Sequence, residues 1–515
     1  MTAQAAEDGS DLVNLADLRF GATVLYANDD FFASKDNLLL PQRPIFIDGK
    51  YTDRGKWMDG WESKRRRVPG HDFAILRLGV PGVVRELVVD TAFFRGNFPE
   101  SCSIDGASIR GYPATEALLG DDVAWTEVLP RTKLEGNSIN RFKVKASDRV
   151  THLRLNIFPD GGVARLRVYG DVLPEPKWMG RAGAAVDLAA AEHGAIVTAC
   201  NDMFFGSRHN LVMPNRALDM GDGWETKRSR REGPDWVILK LAAAGVLERL
   251  VVDTLHFKGN SPESAALCVC DAGDREPSGT DDSQWTPVLP RTKLLPHTQH
   301  VFDEGLGAHR AATHARLRIW PDGGVSRLRL FGTVSDEGRE RAGLAYLNAL
   351  SLADADAVLL SCCGSKAFAS KLAGARPFST FAALVKGAAE VWASLTTSDW
   401  EEAFRAHPRI GEKKAAPSQG ATAAAWSRGE QSRVDDASAA VLEELRKVNE
   451  AYEAKFGRTY IVCATGKTAD EMLAIARARM QNAPDAELRA AADEQRKITE
   501  LRLAKLVLAT TETRR

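Results

Sequence analysis

No run of the chain reaches the 18 consecutive apolar residues that a spanning helix needs, so an integral membrane protein is not expected. Net charge of one sign is missing too. Lys plus Arg is 68, Asp plus Glu is 69 and the formal charge is −1, which leaves no electrostatic case for nucleic acid or a membrane surface. Cysteine is sparse and odd in number: seven residues and no C-x-x-C pair, which argues against a disulfide framework or a zinc ribbon and fits a reducing compartment. There is no H-E-x-x-H and no tight Asp/His spacing, so no metal site is read from the sequence. Residues 1–11 are acidic and lack an apolar core, unlike a signal peptide, and the T-E-T-R-R end is not a peroxisomal signal. A cytoplasmic protein is expected.

What is present is ordinary globular composition, 44% hydrophobic and 27% charged over 515 residues, which predicts roughly three domains. The strongest signal is a long internal repeat. D-G-W-E-S-K-R at 59–65 returns as D-G-W-E-T-K-R at 222–228. V-V-D-T at 88–91 returns at 251–254, and G-N-F-P-E-S at 96–101 returns as G-N-S-P-E-S at 259–264. V-L-P-R-T-K-L and P-D-G-G-V-x-R-L-R are duplicated in the same order. A unit of roughly 150 residues is far longer than a solenoid repeat and marks a duplicated domain. Each copy alternates apolar and polar residues at period 2 between Gly, Pro, Asn and Asp clusters, predicting many short strands in antiparallel β-sandwiches. After residue 334 the texture turns Ala-, Leu-, Glu- and Lys-rich with helical spacing, predicting an all-α domain of about seven helices.

The expected organisation is β-sandwich repeat 1 at 13–172, a linker with a short helix at 173–193, and repeat 2 at 194–334. A charged linker at 335–340 and the helical domain at 341–515 follow. Capping boxes are expected at Ser398 and Thr468, a C-terminal cap at Gly457, and a helix stop at Pro408.

Ten histidines occur, but only His407 lies beyond residue 314. It falls at the end of a helix, where the macrodipole would stabilise imidazolium and suit a proton donor. Glu430, in W-S-R-G-E-Q-S just before the next long helix, is expected in a loop, where it can accept a hydrogen bond from substrate. The Tyr460–Ala464 backbone can line a cleft, and Arg502 sits on an otherwise apolar helix face. G-K-T at 466–468 is not a phosphate loop, because Ile461 stands where that motif needs glycine. In the repeats, His152 and His314 are flanked by strand residues and read as structural, and Trp61 and Trp224 as core or pocket walls.

H-P-R-I-G-E, S-R-G-E-Q-S, F-G-x-x-Y-I-V-C-A-T-G-K-T and I-T-E-L-R-L, in that order within 341–510, resemble the 2-oxo-4-hydroxy-4-carboxy-5-ureidoimidazoline (OHCU) decarboxylase family. That resemblance implies a cofactor-free decarboxylase yielding (S)-allantoin. His407 and Glu430 would be catalytic, with Pro408, Ser427, Arg428, Gln431, the Tyr460, Ile461, Val462, Cys463 and Ala464 backbone, and Arg502 around the substrate. The family commonly carries an aromatic residue where this chain has Arg458. Residues 13–334 resemble allantoicase, through N-D-D-F-F and N-D-M-F-F, N-L-L-L-P and N-L-V-M-P, and the duplicated motifs above. That implies two jelly-roll-like sandwiches and hydrolysis of allantoate to ureidoglycolate and urea, with the metal requirement left open.

Allantoate needs a cation for its carboxylate, and its hydrolysis needs a carboxylate or a metal. The repeated polar residues are therefore the candidates: Asn28, Asp29, Asp59, Glu62, Arg65, Asn97 and Glu100, with Asp222, Glu225, Arg228, Asn260 and Glu263 in the second copy. The partners expected are small ureides, a second copy of the chain in a homo-oligomer, and functional association with allantoinase, which acts between the two reactions. The competing expectation is a ligand- or carbohydrate-binding β-sandwich protein with a helical accessory domain.

Overall fold

A computed structural model describes residues 12–145, 147–180, 183–229, 232–409, 421–430 and 439–509. The chain divides into two compact units, Met1–Arg339 and Glu340–Arg515. No helix among the described residues is long and apolar enough to cross a membrane. All seven cysteines are free thiols.

In the first unit each repeat forms an antiparallel eight-stranded arrangement organised around one long strand. The two apolar runs that read as separate strands in sequence are fused: Asp72–Asp90 and Asp235–Asp253 each run for 19 residues. The first half of Asp72–Asp90 pairs with Thr23–Ala27 and Arg149–Phe158. The second half pairs with Ile139–Lys143 and Arg165–Val172. One strand thus serves both layers of the sandwich, and the register shifts between Val150 and His152 and between Tyr169 and Gly170 mark the bend. The inward face of the first layer, with Ala74, Leu76 and Leu78, meets that of the second, with Leu87, Val89, Leu166 and Val168, in one core. The second repeat buries the equivalent set around Val237, Leu239, Leu250 and Val252.

The expected linker at 173–193 is shorter than its sequence suggested. Ala185–Asp187 is already a strand of repeat 2, paired with Arg327–Val334, as Val13–Asn14 pairs with Arg165–Val172 in repeat 1. The linker helix is a 3-10 turn, Pro176–Met179. Nor is 335–340 a free linker: its acidic residues open the helix Asp336–Ala349, where Asp336 and Glu337 complement the N-terminal dipole. Phe20 packs against both sandwich cores, and Arg19 crosses from repeat 1 to Asn210 (3.1 Å) and Asp222 (3.2 Å) of repeat 2. The repeats differ in one insertion. Pro41 and Trp61 are twenty positions apart, but Pro214 and Trp224 only ten. The extra residues make the hairpin Tyr51–Thr52 and Gly55–Lys56.

The second unit is helical, as expected. Nine helices occur among the described residues rather than about seven. The excess arises where caps cut one periodic stretch in two: Gly364 takes φ +88 to end Leu352–Cys363, and Ser365 immediately caps Lys366–Gly374. Thr468 forms its capping box with Glu471. The box expected at Ser398 instead uses Thr396 and Asp399, so Ser398 lies inside the helix Thr397–Arg405. Both spacings satisfy the motif; the earlier start lets the Trp400 indole reach the Trp392 carbonyl at 3.1 Å.

Gly457 ends Ala439–Phe456 at φ +69, its N–H on the Glu453 carbonyl, and nothing lies within 4 Å of an added Cβ. Gly457→Ala should therefore cost only backbone strain, about 1 kcal/mol by denaturant titration. A much larger loss would mean that the residue also packs.

Candidate functional sites

The helical unit holds two cores, and the segment Tyr460–Ala464 divides them. Its alternate side chains face opposite ways. Ile461 and Cys463 enter the main core with Phe368, Phe404 and Leu503, while Tyr460, Val462 and Ala464 enter the smaller one with Tyr452 and Met472. Much of the backbone expected to line a cleft is occupied by protein groups. The Cys463 N–H donates to Glu494 (2.8 Å), and the Ile461 carbonyl accepts from Arg479 (2.7 Å).

Beside the main core lies a buried polar cluster. Glu430 lies in the helix Ala421–Glu430 rather than in a loop. Its Oε1 accepts from Lys505 Nζ (2.8 Å) and Arg502 Nε (3.2 Å), and its Oε2 from Arg502 Nη2 (2.9 Å). Arg502 Nη2 also donates to Ser427 Oγ (2.9 Å). Arg502 is only 2% exposed. Burial would raise the Glu430 carboxyl, but Arg502 and Lys505 overcome it and hold the group below its ordinary range.

His407 follows the helix Thr397–Arg405, its N–H on the Phe404 carbonyl at 3.1 Å. The expectation of a stabilised imidazolium is overturned. Burial first, then the Arg502 cation, push the ring down to about 3, against the opposing pull of Glu430 and Gln495. The helix-end dipole is a weaker effect than desolvation, and Glu430 is already neutralised by two cations. His407 Nε2 is buried with no hydrogen-bond partner among the described residues.

Sequence reasoning missed Gln495, which is fully buried and donates from Nε2 to the Cys363 carbonyl and Thr499 Oγ1, both at 3.3 Å. Its Oε1 has no hydrogen-bond partner among the described residues. The signal was there: Gln495, Thr499 and Arg502 recur at i, i+4 and i+7, one polar stripe on the buried face of Pro484–Leu508. Gln431 and the side chain of Arg428 lie outside the described residues. Pro408 is half-buried beside His407. Arg458, in the position of the family's aromatic, reaches Glu401 at 3.7 Å.

In the β unit the repeated candidates separate by geometry. Asn28 bonds the buried Asp72 (3.0 Å) and the Phe73 N–H (2.8 Å), and Asn201 does the same with Asp235 and Trp236. Asp29 accepts the N–H groups of Phe31 and Lys64, fastening a loop. Asp59 pairs with the buried Arg165 (2.9 Å), and Asp222 with Arg327 (2.8 Å). Each of these side chains is engaged by its neighbours within the fold. Arg65, Arg228, Glu100 and Glu263 are exposed, the last paired with Arg291. Trp61 and Trp224 are core residues, fully buried, each donating its indole N–H at 2.8 Å, to the carbonyls of Asp29 and Asp202. His152 and His314 are buried, held by Thr151 and Thr313, and pushed down to about 4 chiefly by burial.

Two further pairs join a half-buried carboxyl to an asparagine. Glu62 accepts from Asn97 Nδ2 at 2.7 Å, and Glu225 from Asn260 Nδ2 at 2.5 Å. Burial raises both carboxyls, partly opposed by the amide hydrogen bond. No group of three His, Cys, Asp or Glu placed to hold a metal occurs among the described residues.

Residues 13–173 and 186–335 match the family model described as allantoicase repeat, and residues 348–504 match that of OHCU decarboxylase. A probable allantoicase of Streptomyces avermitilis is 45% identical over 343 residues, 65% of this chain and 88% of that protein. A probable allantoicase of Pseudomonas aeruginosa is 46% identical over 324 residues, 62% of this chain and 96% of that protein. The crystal structure of allantoicase from Saccharomyces cerevisiae, 32% identical, covers 63% of this chain and 94% of its own with a TM-score of 0.53.

Proposed function

From the premise that the chain belongs to the allantoicase family through its two β repeats and carries an OHCU decarboxylase domain after them, we propose how its residues divide the two reactions of this bifunctional purine-catabolic enzyme. One reaction hydrolyses allantoate to ureidoglycolate and urea. The other decarboxylates OHCU to (S)-allantoin. With both parts in enzyme families, the carbohydrate-binding alternative is not favoured.

The observation that carries the decarboxylase assignment is the buried Nε2 of His407, without a hydrogen-bond partner among the described residues, beside the Arg502–Glu430 pair. Arg502 holds the substrate anion, Glu430 orients its hydroxyl, and Gln495 positions the imidazole. Loss of CO₂ leaves an electron pair that spreads into the substrate's own carbonyl and imine, so no cofactor is called on. His407 then delivers a proton from Nε2 to one face of the carbon. The ring is neutral in the free enzyme. An arriving anion offsets the Arg502 charge and raises the imidazole's affinity for a proton, so the substrate charges its own proton donor. The allantoin formed must have its ring opened by an allantoinase before the β unit can use it, which makes that enzyme the natural functional partner.

Chain division tests the reading. Cut ahead of the helix Asp336–Ala349, each fragment should fold and keep only its own reaction, urea release for the β fragment and decarboxylation for the helical one. Both activities lost from well-folded fragments would refute this division of labour.

A further inference from the structure

We propose that allantoate is cleaved in the first repeat only, with Glu62 as the proton-transferring carboxyl, Asn97 as its anchor, and Arg54 and Lys64 as the cations that receive the substrate carboxylate. This assignment rests on the allantoicase reading above. The two repeats share the Glu–Asn pair, so the pair alone does not choose between them. The surroundings do.

Glu62 lies on a two-residue strand bridged to Ala33, and its carbonyl accepts the N–H groups of Phe32 (3.1 Å) and Ala33 (3.3 Å). Oε1 is held by Asn97, while Oε2 accepts no hydrogen bond among the described residues. The neighbouring Phe31 meets Phe32 edge to face at 5.1 Å. Two cations sit on Phe31: Lys64 Nζ at 4.4 Å and the Arg54 guanidinium at 5.1 Å from the ring centre. Arg54 Nη1 also donates to the Phe31 carbonyl at 3.0 Å, which fixes the guanidinium and leaves its other donors available. Two cations are thereby gathered on the loop bridged to the Glu62 strand, where they can draw an anion.

Arg54 comes from the ten-residue insertion, which repeat 2 lacks. In repeat 2 the corresponding rings Phe204 and Phe205 are 58% and 57% exposed, with no cation over them among the described residues. Lys227 reaches the buried Asp202 at 3.4 Å, as Lys64 reaches Asp29 at 3.8 Å in repeat 1, so the difference between the copies lies in Arg54. Asn260 faces the Met220 sulfur at 3.8 Å as well as Glu225. Among the described residues the second copy thus keeps the carboxyl but shows no cation over its aromatic pair and no counterpart of the hairpin that carries Arg54.

One carboxyl suffices for the chemistry. Burial keeps Glu62 protonated further toward neutral pH than an ordinary glutamate. Its proton passes to the nitrogen of one ureido arm. That C–N bond breaks, urea leaves, and the lone pair of the other arm forms a C=N bond to the methine carbon. Water adds to this carbon and gives its proton back to Glu62, so ureidoglycolate forms and the carboxyl is restored. Substrate plus water equals the two products, with no oxidant or reductant.

The test uses the full-length enzyme, with OHCU decarboxylation and thermal unfolding as internal controls. Unmutated protein that releases no urea would remove the allantoicase reading itself, a result visible before any variant is made. Glu62→Gln should lower urea release about 10²–10⁴-fold, while Glu225→Gln keeps most of its turnover. Arg54→Met, a change on an exposed hairpin, should raise KM for allantoate about tenfold or more with a smaller effect on kcat. Turnover retained by Glu62→Gln, an equal collapse in Glu225→Gln, or an unchanged KM in Arg54→Met would each overturn the assignment.

Discussion

Replacing His407 by alanine is expected to slow OHCU decarboxylation about 10²–10⁴-fold, the usual contribution of a positioned acid–base group, and to leave racemic product. His407 is the only histidine in the helical unit, and its buried Nε2 has no protein partner among the described residues. Spontaneous loss of CO₂ is followed by protonation from either face. Enantiomeric excess is therefore the decisive measurement alongside rate. If the variant still makes (S)-allantoin at near wild-type rate, the proton comes from another group. Urea release should be untouched. A second consequence follows from burial. The folded-state imidazole lies near 3 against an unfolded value of about 6.5, so the folded protein binds fewer protons than the unfolded one between them. The stability due to the neutral ring is present above the unfolded value and lost as pH falls through this window. His407→Ala should accordingly flatten the acid side of the helical unit's stability profile.

Arg502→Met should both abolish decarboxylation and destabilise the helical unit by up to about 3–5 kcal/mol, because it takes from a buried carboxylate one of its two cations. Glu430 would keep Lys505 alone, and its carboxyl would move upward. The two-unit architecture makes this measurable on the intact chain: in denaturant, the helical transition should shift and the β transition should not. A cycle with Glu430→Gln separates pairing from packing. If the ion pair is the cause, the double variant should be more stable than Arg502→Met, since no buried charge is left alone. Equal instability of the two would place the loss in packing around the arginine stem.

The duplication, the change from strand to helix texture near residue 335, the caps at Thr468 and Gly457, and the solitary His407 were all legible in the sequence, because each depends on spacing over a few residues or on direct self-similarity. Candidate residues were legible as types, not as roles. Asn28, Asp29, Asp59 and Asp222 were candidates by repetition, and each also makes contacts within the fold; repetition preserves such contacts as faithfully as chemistry.

Other features were decided only when distant segments met. Fusion of two apolar runs into Asp72–Asp90 depends on partners on both sides of the bend. Glu430 and Arg502, 72 positions apart, are paired by helix packing, and Glu62 and Asn97, 35 apart, by a loop folded against a short strand. The charge state of His407 was read in the wrong direction from local position. A helix end favours a cation by a fraction of the cost of removing it from water, and burial is a property of the assembled core rather than of any neighbouring residue.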